Sequence, residues 1–321
     1  MPESAVHALP EIDAQYRALR EGAGLLDAAD RGMLLVSGPE AAEYLQGQVT
    51  NDVEALEPGE GCYAALLDRK GRIQADMRLL VLAPDQVLID TEAEGFEALK
   101  RHLGIYKVGR DVEVGDCAGE RSLLRLIGPQ ASEIAVEPPA AEHSHPETSI
   151  GAVACRAVRT DTGVDLICAA GDAAKLSAAL LDAGAAPVDE PAAEIVRVES
   201  GRPRFGREID TATMPAEAGI VERAVSFSKG CYIGQETVAR LHYKGKPNRH
   251  LRGLRGEALL RAGETLRLDD RDAGRIGTAC LSPAHGPIGL AILRREAEPG
   301  SALRSDGGAA TVVELPFGEQ E

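Results

Sequence analysis

The chain has 321 residues, a 44% hydrophobic share and a formal charge of −16, a length that predicts two or three domains and a composition ordinary for a folded protein. No run approaches the roughly 18 apolar residues of a membrane helix, and MPESAVHALPEIDAQYR at the N-terminus has neither a basic start nor an apolar core, so a cytoplasmic protein without membrane attachment is expected. The acidic balance argues against general nucleic-acid binding, and cysteines at 62, 117, 155, 168, 231 and 280 without any C-x-x-C pair predict free, mostly buried thiols and no metal centre.

In chain order, Met33–Val36 predicts a strand. Ser37-Gly38-Pro39-Glu40 then predicts a helix start, with Ser37 as the cap and Ala41, Ala42, Tyr44, Leu45 and Val49 as the apolar stripe. Asn51-Asp52 and Pro58-Gly59 are breakers. Cys62–Leu67 predicts a strand ending in a hairpin turn at Asp68–Gly71. Next, Ile73, Ala75, Met77, Leu79 and Val81 alternate with Gln74, Asp76, Arg78 and Leu80, which puts Asp76 on the face opposite the Ile/Met/Val row. Val87–Asp90 predicts a further strand, followed by a helix through Phe96, Leu99 and Leu103.

Part of this pattern returns later. LLVSGPEAAE from Leu34 is echoed by LRLIGPQASE from Leu124, each a strand, a Gly-Pro break and a helix. Val164–Ala169 and the Ala-rich helix near Asp172–Leu181 echo Val87–Asp90 and its helix. Two related α+β units account for both echoes in the same order. Between them, Glu137–Thr148 predicts an exposed loop in which His143 and His145 are solvated. Beyond Lys246-Pro247 the segments become short and Gly-punctuated. Leu251–Leu254, Thr265–Leu268, Arg275–Leu281, Ile288–Leu293 and Thr311–Leu315 predict a small antiparallel barrel or sandwich, with the domain boundary near 246–250.

The densest polar stretch is Glu199–Arg249, broken by Pro and Gly into long irregular segments of the kind that carry function. Within it Cys231 follows Lys229 and Gly230. A neighbouring ammonium lowers a thiol pKa, and a helix beginning at Tyr232–Gln235 would add its N–H groups. Cys231 is then a reactive thiol or cluster ligand, or else a small buried residue in a tight turn. No nucleotide-binding loop occurs, and no Ser–His–Asp order can be singled out.

The stretch KGCYIGQE, Lys229–Glu236, resembles the signature of the YgfZ family. ESGRPRFGRE from Glu199 and MPAEAG from Met214 resemble its flanking blocks. VSGPEAAEYLQGQVTNDV and CYAALLDRKGRIQADM are similar to both YgfZ and the T protein of the glycine cleavage system. The resemblance covers essentially the whole chain. It implies an α+β fold of two ferredoxin-like units, 1–117 and 118–247, followed by a small antiparallel β-barrel, 248–321. It also implies binding of tetrahydrofolate or a one-carbon derivative, and a role in assembly or repair of iron–sulfur enzymes, including tRNA-thiolating ones. The expected partners are a reduced folate and iron–sulfur enzymes or their assembly proteins, with no direct nucleic acid, and a monomer is expected. Residue by residue, the resemblance implies Cys231, Lys229 and Asp76 in the chemistry and Glu199, Arg202, Tyr232, Gln235 and Glu236 in cofactor binding. Glu199 matches a carboxylate suited to the 2-amino pyrimidine edge of a pterin. The T protein typically has an acidic residue where Cys231 stands, which disfavours aminomethyl transfer. A folate-dependent aminomethyltransferase or demethylase, and a folate-binding scaffold without chemistry, are the alternatives. A single thiol does not by itself hold a cluster of four-cysteine ligation.

Overall fold

A computed structural model describes residues 9–28, 30–117, 119–135 and 141–318. The chain begins with α1 (Leu9–Glu21), β1 (Gly24–Asp27), β2 (Gly32–Ser37), α2 (Ala41–Gln46), β3 (Gly61–Leu67), β4 (Ile73–Ala83), β5 (Gln86–Thr91), α3 (Ala93–Tyr106) and β6 (Glu113–Asp116). It continues with β7 (Arg121–Ile127), α4 (Ala131–Ile134), β8 (Glu147–Ile150), β9 (Val153–Arg159), β10 (Gly163–Ala169), α5 (Ala173–Asp182), β11 (Ala186–Pro187) and α6 (Glu190–Glu199). Short helices α7 (Pro215–Ala218) and α8 (Val221–Ala224) precede α9 (Gln235–Lys244). The last strands are β12 (Arg249–Gly256), β13 (Thr265–Leu268), β14 (Arg271–Ser282), β15 (Gly286–Arg294), β16 (Ala302–Ser305) and β17 (Gly308–Val313). No helix among the described residues is long and apolar enough to cross a membrane.

Chain order and compactness divide the molecule differently. Among the described residues, one compact unit takes 9–28, 119–135 and 141–197; the other takes 30–117 and 198–318. The first contains the sheet β11-β1-β7-β10-β9-β8. Leu124, Leu126, Val164 and Leu166 pack there against Leu176 and Leu180 of α5. The second contains the sheet β3-β4-β5-β2-β6 and a closed barrel, β12-β15-β14-β13-β16-β17. Every pair in that barrel is antiparallel. Ala75, Met77 and Leu79 of β4 pack on Tyr44 and Leu45 of α2 and on Leu99 and Leu103 of α3.

The two sheets repeat one plan. β2, α2, β3, β4, β5 and α3 correspond to β7, α4, β8, β9, β10 and α5. In each, the first strand pairs antiparallel with the last, Val36 opposite Val87 and Leu126 opposite Val164. The Gly-Pro break has one shape in both copies. Gly38 has φ 127° and Gly128 has φ 128°, and their carbonyls accept from the N–H of Ala41 and Ala131 at 3.0 and 3.1 Å. A Cβ at Gly38 would lie 2.3 Å from the carbonyl oxygen of Asp111, and one at Gly128 would lie 2.4 Å from that of Gly22. Only glycine fits such a turn.

Three expectations need correction. Ser37 ends β2 and caps nothing; α2 starts at Ala41 behind Glu40, which makes no side-chain cap. The Glu40 carboxylate instead accepts the N–H of Asp111 at 2.7 Å. The α2 stripe ends at Gln46, and Val49 pairs with Leu66 as an isolated bridge. His143 and His145 are buried; Arg156 donates to the carbonyl of His145 at 3.0 Å, and positions 137–140 of that loop lie outside the described residues.

Gly128→Ala and Gly38→Ala are each expected to lower the unfolding free energy by about 1–3 kcal/mol through strain and overpacking at the turn. The midpoint of urea unfolding is the measurement; an unchanged midpoint would refute the turn argument.

Candidate functional site

The face of the five-stranded sheet turned away from α2 and α3 carries polar groups among apolar ones. Alternation along β4 sends Asp76 and Arg78 to this face, and Tyr63 and Ala65 of β3 stand opposite Arg78 and Asp76. A register shift between Leu66 and Leu67 turns Ile73 to the same side. There Ala65, Leu67 and Ile73 pack with Phe205, Ile209, Ile220, Val225, Tyr232 and Val238. The polar central segment of the sequence is thus the cover of this face.

Asp76 is 7% exposed, and the Tyr63 hydroxyl donates to its Oδ2 at 2.6 Å. Burial pushes the Asp76 carboxyl up to about 6, with Glu92 adding to the rise while Tyr63 and Arg31 hold it down. On the neighbouring strand Asp90 is fully buried. Its Oδ2 accepts Arg78 Nε at 2.8 Å and its Oδ1 accepts Arg31 Nε at 2.9 Å. Against the upward push of burial, Arg78 and Arg31 hold Asp90 down at about 2. Arg31 also pairs with Glu92, and Arg204 Nε donates to Glu92 at 2.8 Å. Two buried acids on adjacent strands are therefore shifted in opposite directions, Asp76 up by burial and Asp90 down by its guanidiniums.

Lys229 is buried, and its Nζ donates to the carbonyls of Gln46, Val49 and Asn51 at 2.7, 2.8 and 2.7 Å. Three acceptors match the three ammonium protons. Burial pulls Lys229 down to about 8, with Asp52 opposing. All three of its donors are thus engaged by the loop after α2. Cys231 is the exposed member of the six cysteines, all of them free. It stands outside a helix: Gly234, at φ 85°, precedes α9, which begins at Gln235. Tyr232 is buried in the apolar cover, where burial raises its hydroxyl to about 12. Gln235 is half-buried with Nε2 3.5 Å from the Gly230 carbonyl, and Glu236 is exposed.

Glu199 ends α6 and is buried. The Ser282 hydroxyl of β14 donates to its Oε1 at 2.5 Å, and its carbonyl accepts Phe317 N–H at 2.9 Å. Arg202 follows, half-buried. Elsewhere a cleft of about 440 Å3 opens between β14, β15 and the 207–213 segment, and none of the eight predicted residues lines it.

Lys229, Tyr232 and Asp76 therefore belong to one sheet face and its cover, whereas Glu199 sits against the barrel. Sequence reasoning missed Tyr63, Arg31, Arg78, Asp90, Glu92 and Ser282. Tyr63 and Arg78 were legible from the same alternation that placed Asp76; no local pattern marks Arg31 or Ser282.

Two outcomes follow from these environments. Asp76 has a raised pKa, so the native state holds its proton more tightly than the unfolded chain, and its stability contribution falls as pH rises from about 4 to about 6. Asp76→Asn is therefore expected to raise unfolding free energy by about 1–3 kcal/mol at neutral pH. That gain should vanish below about pH 4 in urea titrations; a gain independent of pH would contradict the burial argument. Lys229→Met removes charge-assisted bonds to three carbonyls and is expected to destabilise by about 3 kcal/mol in the same assay.

The GCVT N-terminal domain family matches residues 4–229. An aminomethyltransferase of Chlorobium luteolum is 30% identical over 334 residues, covering 95% of this chain and 90% of its own. One from Rubrobacter xylanophilus is 29% identical over 321 residues, covering 95% and 86%. A putative chloroplastic transferase of Arabidopsis thaliana is 26% identical, covering 92% and 71%. The glycine cleavage system aminomethyltransferase T of Bartonella henselae has the same fold, with a TM-score of 0.85 and 25% identity over 97% of this chain and 90% of that one. Two α+β sheets of one plan, a closed six-stranded barrel and this match over most of the length lead to one assignment: the chain belongs to the GCVT N-terminal domain family and has the T-protein fold.

Proposed function

We propose that this protein binds tetrahydrofolate or a one-carbon derivative and acts in the cytoplasm, through the thiol of Cys231, in the assembly or repair of iron–sulfur enzymes, tRNA-thiolating ones among them. The observation that carries the reading is Cys231 itself. It is the exposed cysteine of the six, and it stands in KGCYIGQE, which resembles the YgfZ signature, at a position where the T protein typically has an acid. An exposed thiol can meet a second macromolecule, as the four fully buried ones cannot.

The residue set suits a reduced folate. A pterin asks for a carboxylate that accepts paired N–H groups, and Glu199 at the end of α6 is a buried carboxylate of that kind. Asp76, at about 6, can hold or release a proton near neutral pH. The folate would supply one-carbon chemistry; the chain binds it, orients it and holds the Asp76 proton.

Aminomethyl transfer is a second reading. It is favoured by that buried, proton-poised Asp76 and by the relatives named aminomethyltransferase. It requires methylene-tetrahydrofolate to form from tetrahydrofolate and an aminomethyl donor, with release of ammonia, above a protein-free control, and absence of product would remove it.

In a strain lacking the native gene, Cys231→Ala is expected to leave iron–sulfur enzyme activity at the level of the empty strain, while its folate affinity by calorimetry stays within about twofold of wild type. Full recovery of enzyme activity by Cys231→Ala would take the thiol out of the function.

A further inference from the structure

The hairpin turn after β3 packs against the start of α9. A Cβ on Gly71 would lie 3.0 Å from Thr237 Cβ, and one on Gly234 would lie 2.6 Å from the Asp68 carbonyl oxygen. This contact brings the turn that carries Arg69, Lys70 and Arg72 to the start of α9, the helix that carries Arg240 and Lys244, with Lys246 two residues beyond its end. Thr237, Arg240 and Lys244 share one helical stripe, which runs about 10 Å along the helix. Arg72 is half-buried and the other five are exposed. None of the six is ion-paired among the described residues. The two segments contain only two acids, Asp68 and Glu236. Asp68 is occupied in the turn, where its Oδ1 accepts the N–H groups of Lys70 and Arg72 at 2.8 and 2.9 Å.

An unpaired basic face on a chain of net charge −16 repels itself, and exposed Glu236 is the one acid of these two segments left to offset its six cations. Beside it Phe227 stacks on His242 at 4.0 Å, and Tyr243 is 68% exposed, so arginine and aromatic groups stand together as they do in protein interfaces. Exposed Cys231 lies three residues before Gly234. We propose that the face formed by the Asp68–Arg72 turn and α9 docks the acidic surface of a partner protein, with Cys231 at the contact. The inference rests on the reading of Cys231 as a thiol that acts on another protein, and it adds the partner's chemistry. A nucleic acid fits less well. Its charge continues past the patch into the field of a chain of net charge −16, whereas a local acidic surface on a protein is complementary over the patch alone.

The test uses a purified iron–sulfur enzyme whose activity falls in the strain lacking this gene, and reads its association with the full-length protein. The variant Arg69→Glu/Lys70→Glu/Arg240→Glu/Lys244→Glu is first shown to keep the wild-type melting temperature and folate affinity; Lys244→Glu/Lys246→Glu, at the exposed end of α9, replaces it if it does not. At about 50 mM salt the variant is expected to associate at least about tenfold more slowly, with the difference collapsing near 500 mM as the charges are screened. Cys231→Ala should associate like wild type, because docking is electrostatic. Equal association of variant and wild type, or no association of wild type at low salt, overturns the proposal. Tighter binding of an RNA stem-loop than of the enzyme, lost in the variant, overturns it in favour of nucleic acid. If Cys231→Ala restores enzyme activity in cells while the charge variant associates slowly and restores none, docking stands and the thiol reading falls.

Discussion

The loop after α2 is fastened to the 223–229 segment by one concentrated set of hydrogen bonds, and the candidate site depends on that seam. Lys229 Nζ reaches the carbonyls of Gln46, Val49 and Asn51. Thr50 Oγ1 donates to the Ala224 carbonyl at 2.5 Å, and Asn51 Nδ2 donates to the carbonyls of Tyr63 and Arg223 at 2.8 and 3.0 Å. Short helices and turns hold the backbone of 205–238, and the Lys229 ammonium ties that segment to the carbonyls of Gln46, Val49 and Asn51, replacing the water they would otherwise need. Fixing this seam fixes the cover over Asp76 and the start of α9, and so the place where Cys231 emerges.

Beneath the cover, the sheet tolerates an unfavourable arrangement. A carboxylate buried at the position of Asp76 resists ionisation, and Tyr63 relieves only part of that cost. Asp90 avoids the same penalty because two guanidiniums face it. Had the fold needed only stability, an apolar or amide side chain at 76 would have served better. A raised acid thus stands beside a compensated one, the contrast set by burial at Asp76 and by two guanidiniums at Asp90.

What the sequence made legible was periodic. The alternation of Ala75–Val81 located Asp76 on the correct face, and Thr265–Leu268 matched its strand, whereas the register shift at Leu66/Leu67 turns Ile73 to the Asp76 face, against the expected alternation. The Gly-Pro echo led to two sheets of one plan because a turn closed to Cβ atoms forces the same residue twice. Distant packing was not legible. Nothing local told that Lys229 serves loop carbonyls 178 to 183 positions away, or that His143 and His145 are buried. β1 and β11 also escaped: each is short, and β11 of two residues carries no period of its own.

The twin turns at Gly38 and Gly128 have a further meaning once the strand registers are laid over one another. Arg78 stands opposite Tyr63 and Asp90 in one sheet; in the other, Arg156 takes its place, opposite Glu147 and Ile167. By the same count Ala154 holds the position of Asp76. The duplicate kept the turn, the strand order and the arginine, and has neither buried acid. Structural pseudosymmetry therefore ends at the backbone: the protein is built twice but equipped once. The tyrosine-bonded Asp76 and the guanidinium-flanked Asp90 therefore occur once per chain, in a plan that the backbone lays down twice.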